Sequence, residues 1–402
     1  MGKTIRIGIA GVNPFDGNRG VGALSYSIVH ILQQLSEKEG KGYELYFILN
    51  GSSMPRTCTI EVGEKQFEIK ILHLVSVFTI KHFAKLLIYF KDFLTYCRLD
   101  YVLDASYGDS YSDIYGKANF RSHNSIKRFF SLIGKKQMLL PQTVGPFFAP
   151  DVKKSAVRTM NRMQVLLARD RMSYEFLQEN VRRPKSAEII DLAFFMPFKK
   201  DPLLRKEGEV HIGLGISKML WNKGLQATMS YKDDYSSLMR QIIQRFLSMG
   251  NVYVHLVPHV VCENNSKGND YELCYRIWQE YHSDRLILSP FFLDPIKAKN
   301  YISSLDFFAG SRMHACIASF SSSVPVYPIS YSRKFIGLFN ETLSYNYVGD
   351  LTTMQNEDII AGLFDAFDNR TAIASEIADK MKGIVAERKQ VLDKELLAFL
   401  NS

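Results

Sequence analysis

The feature that most constrains this chain is an alternation of short apolar runs with stretches of helical spacing. TIRIGIAG (4–11) ends on a glycine, and GALSYSIVHILQQLSE (22–37) follows with apolar residues on one helical face. YELYFILN (43–50), FEIKILHL (67–74), DYVLDAS (100–106), QMLLPQ (137–142) and QVLLARD (164–170) continue the series as strands. This rhythm predicts parallel sheets with helices on both faces. It restarts after MPFKKDPLLRKEGE (196–209), a charged, proline-containing stretch that reads as a linker. VHIGLGIS (210–217), NVYVHLVPH (251–259), DRLILSP (284–290), LDFFAG (305–310) and VPVYPIS (324–330) then supply a second set of strands. Between them, DDYSSLMRQIIQRFLSMG and DYELCYRIWQEYH are helical in spacing, as is the C-terminal stretch ending IVAERKQVLDKELLAFLNS. The expectation is an α/β protein of two Rossmann-like, doubly wound parallel-sheet domains facing a cleft. The first would cover 1–200 and the second 207–402, with C-terminal helices able to pack back on the first. In such sheets ligands sit beyond the carboxyl ends of the strands, so residues just after strands are the ones to watch.

A chain of 402 residues is long for one core and comfortable for two. No stretch is apolar for long enough to cross a bilayer as a helix. MGKTIRIGIAG has too short an apolar run for a signal peptide, and Arg6 breaks the myristoylation pattern. Five scattered cysteines without a C-x-x-C pair argue for a reducing, cytoplasmic setting and against a disulfide frame or a zinc site. The net charge of +9 suits an anionic partner: phosphate, acidic glycan or membrane surface. Nucleic acid is disfavoured, because no zinc-finger spacing and no dominant basic run is present.

Arg312 and His314 follow LDFFAG, at the mouth of the helix expected from ACIASFSSSVP. An arginine grips carboxylate or phosphate through parallel hydrogen bonds, a helix N-terminus favours anions, and a histidine exchanges protons near neutral pH. The plainer alternative is an arginine paired with a carboxylate and a histidine satisfied in the core. GVNPFDGNRGVGALSYSIVHIL (11–32) holds a glycine-containing turn without a clean dinucleotide fingerprint. Asp104, Asp109 and Asp113 suit sugar hydroxyls or a base, or equally turns and caps. Without histidine partners these carboxylates support no metal. Gln142 ends one strand and Arg169 with Asp170 ends another, where Ser173 is placed to cap a helix and an Arg–Asp pair is the simple reading. His259 ends the strand before a polar loop. In 80–98, Phe83, Leu86, Leu87, Phe90, Leu94 and Cys97 share a helical face among lysines, which suits either packing on the sheet or contact with a membrane surface.

The ordered series of these segments resembles the polysaccharide pyruvyl transferase family. NRGVGAL looks like the family's early N-x-G-D-x-A stretch, and ASYGDSYSD falls where the family has a glycine-rich, Asp-containing loop. LPQTVGPF resembles its Q-x-x-G-P-F segment, and ARDRMSYEFL its R-D-x-x-S-x-x-x-L helix start. DLAFFMP and LVPH…ND (256–270) follow in place. GSRMHACIASFSSSVPVYPISYSRK is similar to the G-x-R-x-H…P…Y-x-x-K signature, the most specific of the series. Two positions depart: Val21 replaces the usual Asp, and Ala105-Ser106-Tyr107 stands where glycines are common.

The resemblance implies a GT-B-like fold. It also implies phosphoenolpyruvate as donor, a lipid-linked saccharide as acceptor and a cyclic pyruvate ketal as product, with phosphate released. No cofactor or metal is called for. His314 and Arg312 become the catalytic pair, acid and anion clamp. Arg169, Lys334, His259 and Ser311 join Arg312 in donor binding, while Asn18, Gly20, Asp109 and Gln142 face the acceptor. The expected setting is cytoplasmic, with peripheral contact at the inner face of the membrane. Competing expectations are a nucleotide-sugar glycosyltransferase of GT-B type and a non-catalytic glycan-binding protein of the same fold.

Overall fold

The protein is described from a computed structural model, which places residues 4–49, 55–63, 65–73, 90–222, 231–262 and 268–402. The chain divides into two compact units. One comprises 1–14, 24–195 and 387–402, and the other 15–23 and 196–386. The chain thus passes from the first unit to the second at 195/196, while the earlier segment 15–23 belongs with the second unit and the C-terminal 387–402 with the first.

The sheet of the first unit contains β1 (Ile5–Ala10), β2 (Tyr43–Leu49), β3 (Thr57–Val62), β4 (Lys65–His73), β5 (Tyr101–Asp104), β6 (Lys136–Gln142), β7 (Val165–Ala168) and β8 (Lys185–Glu188). Their order is β3-β4-β2-β1-β5-β6-β7-β8. All pairings are parallel except the β3–β4 hairpin. β5 and β7 are buried at every position because helices cover both faces, which is why β7 reads as an unbroken apolar run and β5 as one up to its terminal Asp104. β3 instead alternates exposed and buried residues in TCTIEV, the pattern of a strand with one solvated face. The reversal of strand order falls between β1 and β5.

At the far edge, β8 pairs with β7 alone. Its outer side is met by the C-terminal helix Ala386–Leu400, whose Glu395 pairs with Lys185 at 2.6 Å. Arg388 of the same helix donates to the Glu188 carbonyl at 2.9 Å and pairs with its carboxylate at 3.0 Å.

The second unit holds β9 (Val210–Gly215), β10 (Val252–Leu256), β11 (Leu286–Leu288), β12 (Phe307–Gly310), β13 (Val326–Ser330) and β14 (Gly349–Asp350). The order is β11-β10-β9-β12-β13-β14, parallel throughout. Here the order reverses between β9 and β12, so the turns after Gly215 and Gly310 flank the switch point.

Of the two readings of the 80–98 face, packing on the sheet is not found at the positions described. Phe83, Leu86 and Leu87 lie outside the described residues. In the helix Phe90–Arg98, Phe90, Leu94 and Cys97 point outward, while Asp92 and Tyr96 are buried. Asp92 accepts from Arg56 and from the His73 backbone, and the Tyr96 ring packs against Phe129 and Phe130. These long-range partners set the buried face. Among the described residues no helix is long and apolar enough to cross a membrane.

Candidate functional site

In the second unit, Arg312 is the residue just before the helix Met313–Ser321, in extended backbone at the end of β12. Its Nε and Nη2 donate to the two oxygens of Asp270, at 2.8 and 2.6 Å. Asp270 is fully buried and also accepts backbone N–H groups from Lys218 and Val260, both at 2.9 Å. Burial works against charge on Arg312, but Asp270 outweighs it and holds the guanidinium above its ordinary pKa range. The carboxylate pairing weighed from the sequence is therefore present. The forked edge of Arg312 is occupied by Asp270, which leaves Nη1 as the edge available to a ligand.

His314 is the second residue of the helix Met313–Ser321 and is half-buried. Its ring packs against Gly20, where a Cβ would stand 2.2 Å from Nδ1. Glycine is required at position 20 by this close approach. Segment 15–23 is stitched to the loop after β10 by main-chain bonds: Arg19 N–H to the His259 carbonyl at 2.9 Å, and Val261 N–H to the Gly17 carbonyl at 2.8 Å. Asn18 forms a bridge with Val260, and its Oδ1 accepts from Gly20 N–H at 3.0 Å. Asn18 and Gly20 therefore sit beside His259 and His314, in the second unit rather than with the N-terminal sheet that precedes them in sequence.

His259 is 4% exposed, and neither ring nitrogen is hydrogen bonded. Burial first, then the neighbouring His314, Arg312 and Arg19, push its pKa well below the ordinary range, so the ring is neutral. An unmade hydrogen bond on a buried polar group costs roughly 1–3 kcal/mol. A ligand atom that reaches this imidazole recovers that cost. Ser311 is buried and its N–H is taken by the Gly215 carbonyl at 3.0 Å. Lys334 is half-buried after β13, with its ammonium 5.2 Å from the Tyr331 ring centroid.

The first unit gathers another polar group at its strand ends. Asp104, at the end of β5, pairs with buried Lys127 at 2.9 Å and accepts from the N–H and hydroxyl of Ser106. Burial opposes ionisation of Asp104, yet Lys127 keeps its pKa low. Ser106 and Tyr107 adopt left-handed backbone, with φ of 41° and 53°. Non-glycine residues held this way mark strain, which concentrates at functional sites. His123 lies edge-on to Tyr107, and burial together with Lys127 lowers its pKa to about 4.

Gln142 is fully buried; its amide donates to the Asp104 carbonyl at 3.2 Å while Oε1 has no hydrogen bond. Asp109 is half-buried and accepts from the Tyr115 hydroxyl. Asp113 is a turn residue, accepting from Phe148 and Ala149 N–H. Arg169 is 1% exposed and bound to Asp191 at 2.7 Å and to Thr143 at 2.9 Å. Its carboxylate partner is Asp191, not the adjacent Asp170. Asp170 instead caps the helix Arg171–Asn180 by accepting from Ser173 N–H, so the cap is Asp170 and not Ser173.

Arg19 is a site residue that the sequence pattern does not single out, although it stands inside the NRG stretch. It is buried and donates to the Val261 carbonyl at 3.0 Å and to the Leu293 carbonyl. Asp270 as the partner of Arg312 is likewise unmarked by local pattern. The N-D pair in the family-like segment is the one available signal for it. Among the described residues no cluster of His, Cys, Asp and Glu is arranged to hold a metal ion.

Two doubly wound parallel sheets with polar groups at the strand ends are the parts of a GT-B fold, and solved GT-B enzymes match the chain end to end. An α,α-trehalose-phosphate synthase from Burkholderia vietnamiensis aligns with 10% identity and a TM-score of 0.55, covering all of both chains. Sucrose-phosphate synthase from Thermosynechococcus elongatus aligns over 98% of this chain and 99% of its own, with 9% identity and a TM-score of 0.57. A spinosyn rhamnosyltransferase aligns over 99% of this chain and all of its own, with 8% identity and a TM-score of 0.54. At such identities the likeness concerns the fold alone. The particular family is given by sequence: residues 42–333 match the profile described as Polysaccharide pyruvyl transferase, and the chain belongs to that family. No curated protein matches the chain significantly.

Proposed function

We propose that this transferase moves the pyruvyl group of phosphoenolpyruvate onto two hydroxyls of a sugar in a lipid-linked surface-polysaccharide precursor. The reading rests on the family match over 42–333, joined to an acid-capable His314 beside the Arg312–Asp270 pair at the switch point. In the proposed reaction His314 protonates C3 of the enol phosphate and C2 becomes electrophilic. The first sugar hydroxyl adds at C2. The C2–O bond to phosphate then breaks, and the second hydroxyl closes the cyclic ketal. One hydroxyl proton replaces the proton given by His314, and the other leaves with phosphate. A positioned acid contributes roughly 10²–10⁴-fold.

Donor oxygens are assigned to Arg312 Nη1, Lys334 and the one N–H of the neutral His259 ring, with Ser311 and Arg19 shaping the turn. Acceptor hydroxyls are assigned to Asp109 and Gln142, with Asn18 and Gly20 fixing the His314 ring. No cofactor or metal has a role in this reading. Contact with the inner face of the membrane is supported by the exposed Phe90 and Leu94.

The test is incubation with phosphoenolpyruvate and candidate lipid-linked saccharides, followed by mass spectrometry and phosphate assay. The expected result is a mass gain matching a pyruvate ketal with equimolar phosphate, lost in His314→Gln. Turnover preserved in that variant would remove the acid role. The GT-B fold keeps a nucleotide-sugar glycosyltransferase as the second reading. Thermal stabilisation by nucleotide sugars but not by phosphoenolpyruvate would favour it.

A further inference from the structure

The helix Asp270–Tyr281 begins at the carboxylate that holds Arg312 and then runs along the outer strand β11. Tyr271, Tyr275 and Trp278 recur at helical spacing, so they form one stripe along it. Over seven residues the stripe is about 10 Å long. Tyr275 and Trp278 are 42% and 41% exposed, with ring centroids 5.9 Å apart. The Tyr271 ring is braced edge-on by Phe291 at 4.9 Å. Between this stripe and β11 lies a cavity of about 860 Å³, whose rim carries Gln279, His282 and Asp284.

Contiguous exposed aromatics are uncommon on a soluble surface and mark binding sites. The charge of the lining narrows the ligand. The chain carries 50 lysines and arginines and a net charge of +9, yet among the described residues none of those cations lines this cavity. A phosphate, an anionic lipid or a nucleic acid therefore finds no counter-charge there. What fits the lining is a ligand without negative charge, with flat apolar faces for the rings and polar edges for an amide, an imidazole and a carboxylate. Gln279 already donates to the Tyr275 hydroxyl at 3.0 Å, which fixes both groups.

We infer that this groove binds a neutral stretch of saccharide, spanning more than one pyranose ring. It holds the part of the acceptor that is not pyruvylated. This deepens the proposed function and rests on its saccharide acceptor. Because Asp270 starts the helix, the platform and the Arg312 site share one rigid element.

The test uses the full chain with Trp221→Phe. The protein has two tryptophans, so this variant leaves Trp278 as its sole indole. Neutral hexasaccharides, β-1,4-linked glucose and β-1,4-linked galactose among them, are titrated against its emission. A saturable emission change is expected with at least one, weakened at least tenfold by Tyr275→Ala. In pyruvyl transfer, Tyr275→Ala is expected to raise KM for an oligosaccharide acceptor at least fivefold and to leave a monosaccharide acceptor unaffected. Tyr275→Phe, which keeps the ring, serves as the folding-safe control and retains binding. No emission change with any hexasaccharide overturns the inference. So does a fall in sedimentation mass in Trp278→Ala, which would make this face a self-interface. The titration needs no turnover, so failure of the pyruvyl-transfer reading and failure of the platform are told apart. Pyruvyl transfer with KM unchanged in Tyr275→Ala sinks the platform alone.

Discussion

Gly20→Ala sets two effects of one methyl group against each other. Gly20 lies in the first turn of the helix Arg19–Glu39, where alanine is favoured over glycine by up to about 1 kcal/mol. The same methyl would stand 2.2 Å from His314 Nδ1 and 2.6 Å from Cγ, whereas ordinary contact begins at 3.4 Å. The imidazole must retreat by about 1 Å, a displacement that can cost on the order of 10²-fold in rate when the group takes part in chemistry. The helix gain is offset by the local push, so the melting temperature should change little. Phosphate release from phosphoenolpyruvate with a competent acceptor should fall in kcat by about two orders of magnitude. Gly20→Ser should behave alike, since it carries the same Cβ. Wild-type kcat in a folded Gly20→Ala protein would show that the His314 ring position does not matter, and the acid assignment would fall with it.

Three other perturbations separate structural from functional roles. Asp270→Asn leaves Arg312 buried without its carboxylate and should lower stability by roughly 3–5 kcal/mol, read from the urea midpoint; a midpoint equal to wild type would contradict the pairing. Arg169→Met strands the fully buried Asp191 and should cost a similar roughly 3–5 kcal/mol, largely recovered by adding Asp191→Asn. A stable Arg169→Met protein with a raised KM for phosphoenolpyruvate would instead make Arg169 a donor ligand. Lys299 is buried with its ammonium on the Met196 carbonyl, and burial lowers its pKa from 10.5 to about 7. Between these values the unfolded chain binds the proton and the folded one does not. Stability should therefore rise from pH 7 towards pH 10, by on the order of 1.4 kcal/mol for each pH step of one, and be lowest below 7. Lys299→Met should flatten that rise in urea titrations, and an unchanged slope would refute the assignment.

The legible parts of this fold are those written locally. β5, β7 and β12 announce themselves as apolar runs because both sheet faces are covered. Arg312 and His314 stand out because they follow one such run directly. β3 escapes a reading built on unbroken apolar runs, because TCTIEV alternates instead. Asp270 is hidden as a partner because 42 residues separate it from Arg312. The outward turn of Phe90 and Leu94 is decided by Asp92 and Tyr96, whose partners are remote in sequence. The placement of Asn18 and Gly20 follows main-chain bonds to the loop after β10, which no side-chain pattern records.

The docking of Ala386–Leu400 against β8 also bears on the order of events as the chain is made. An uncovered outer strand offers unpaired backbone groups to any neighbouring chain. Domains generally fold as units as synthesis proceeds from the N-terminus. Here Lys185 is paired by Glu395, and Glu188, besides Arg171 of its own unit, by Arg388. Glu395 and Arg388 leave the ribosome only after the whole second unit has been synthesised. The unit that begins first is thus completed last, and until then its sheet has an open border that the nascent chain must keep from its neighbours.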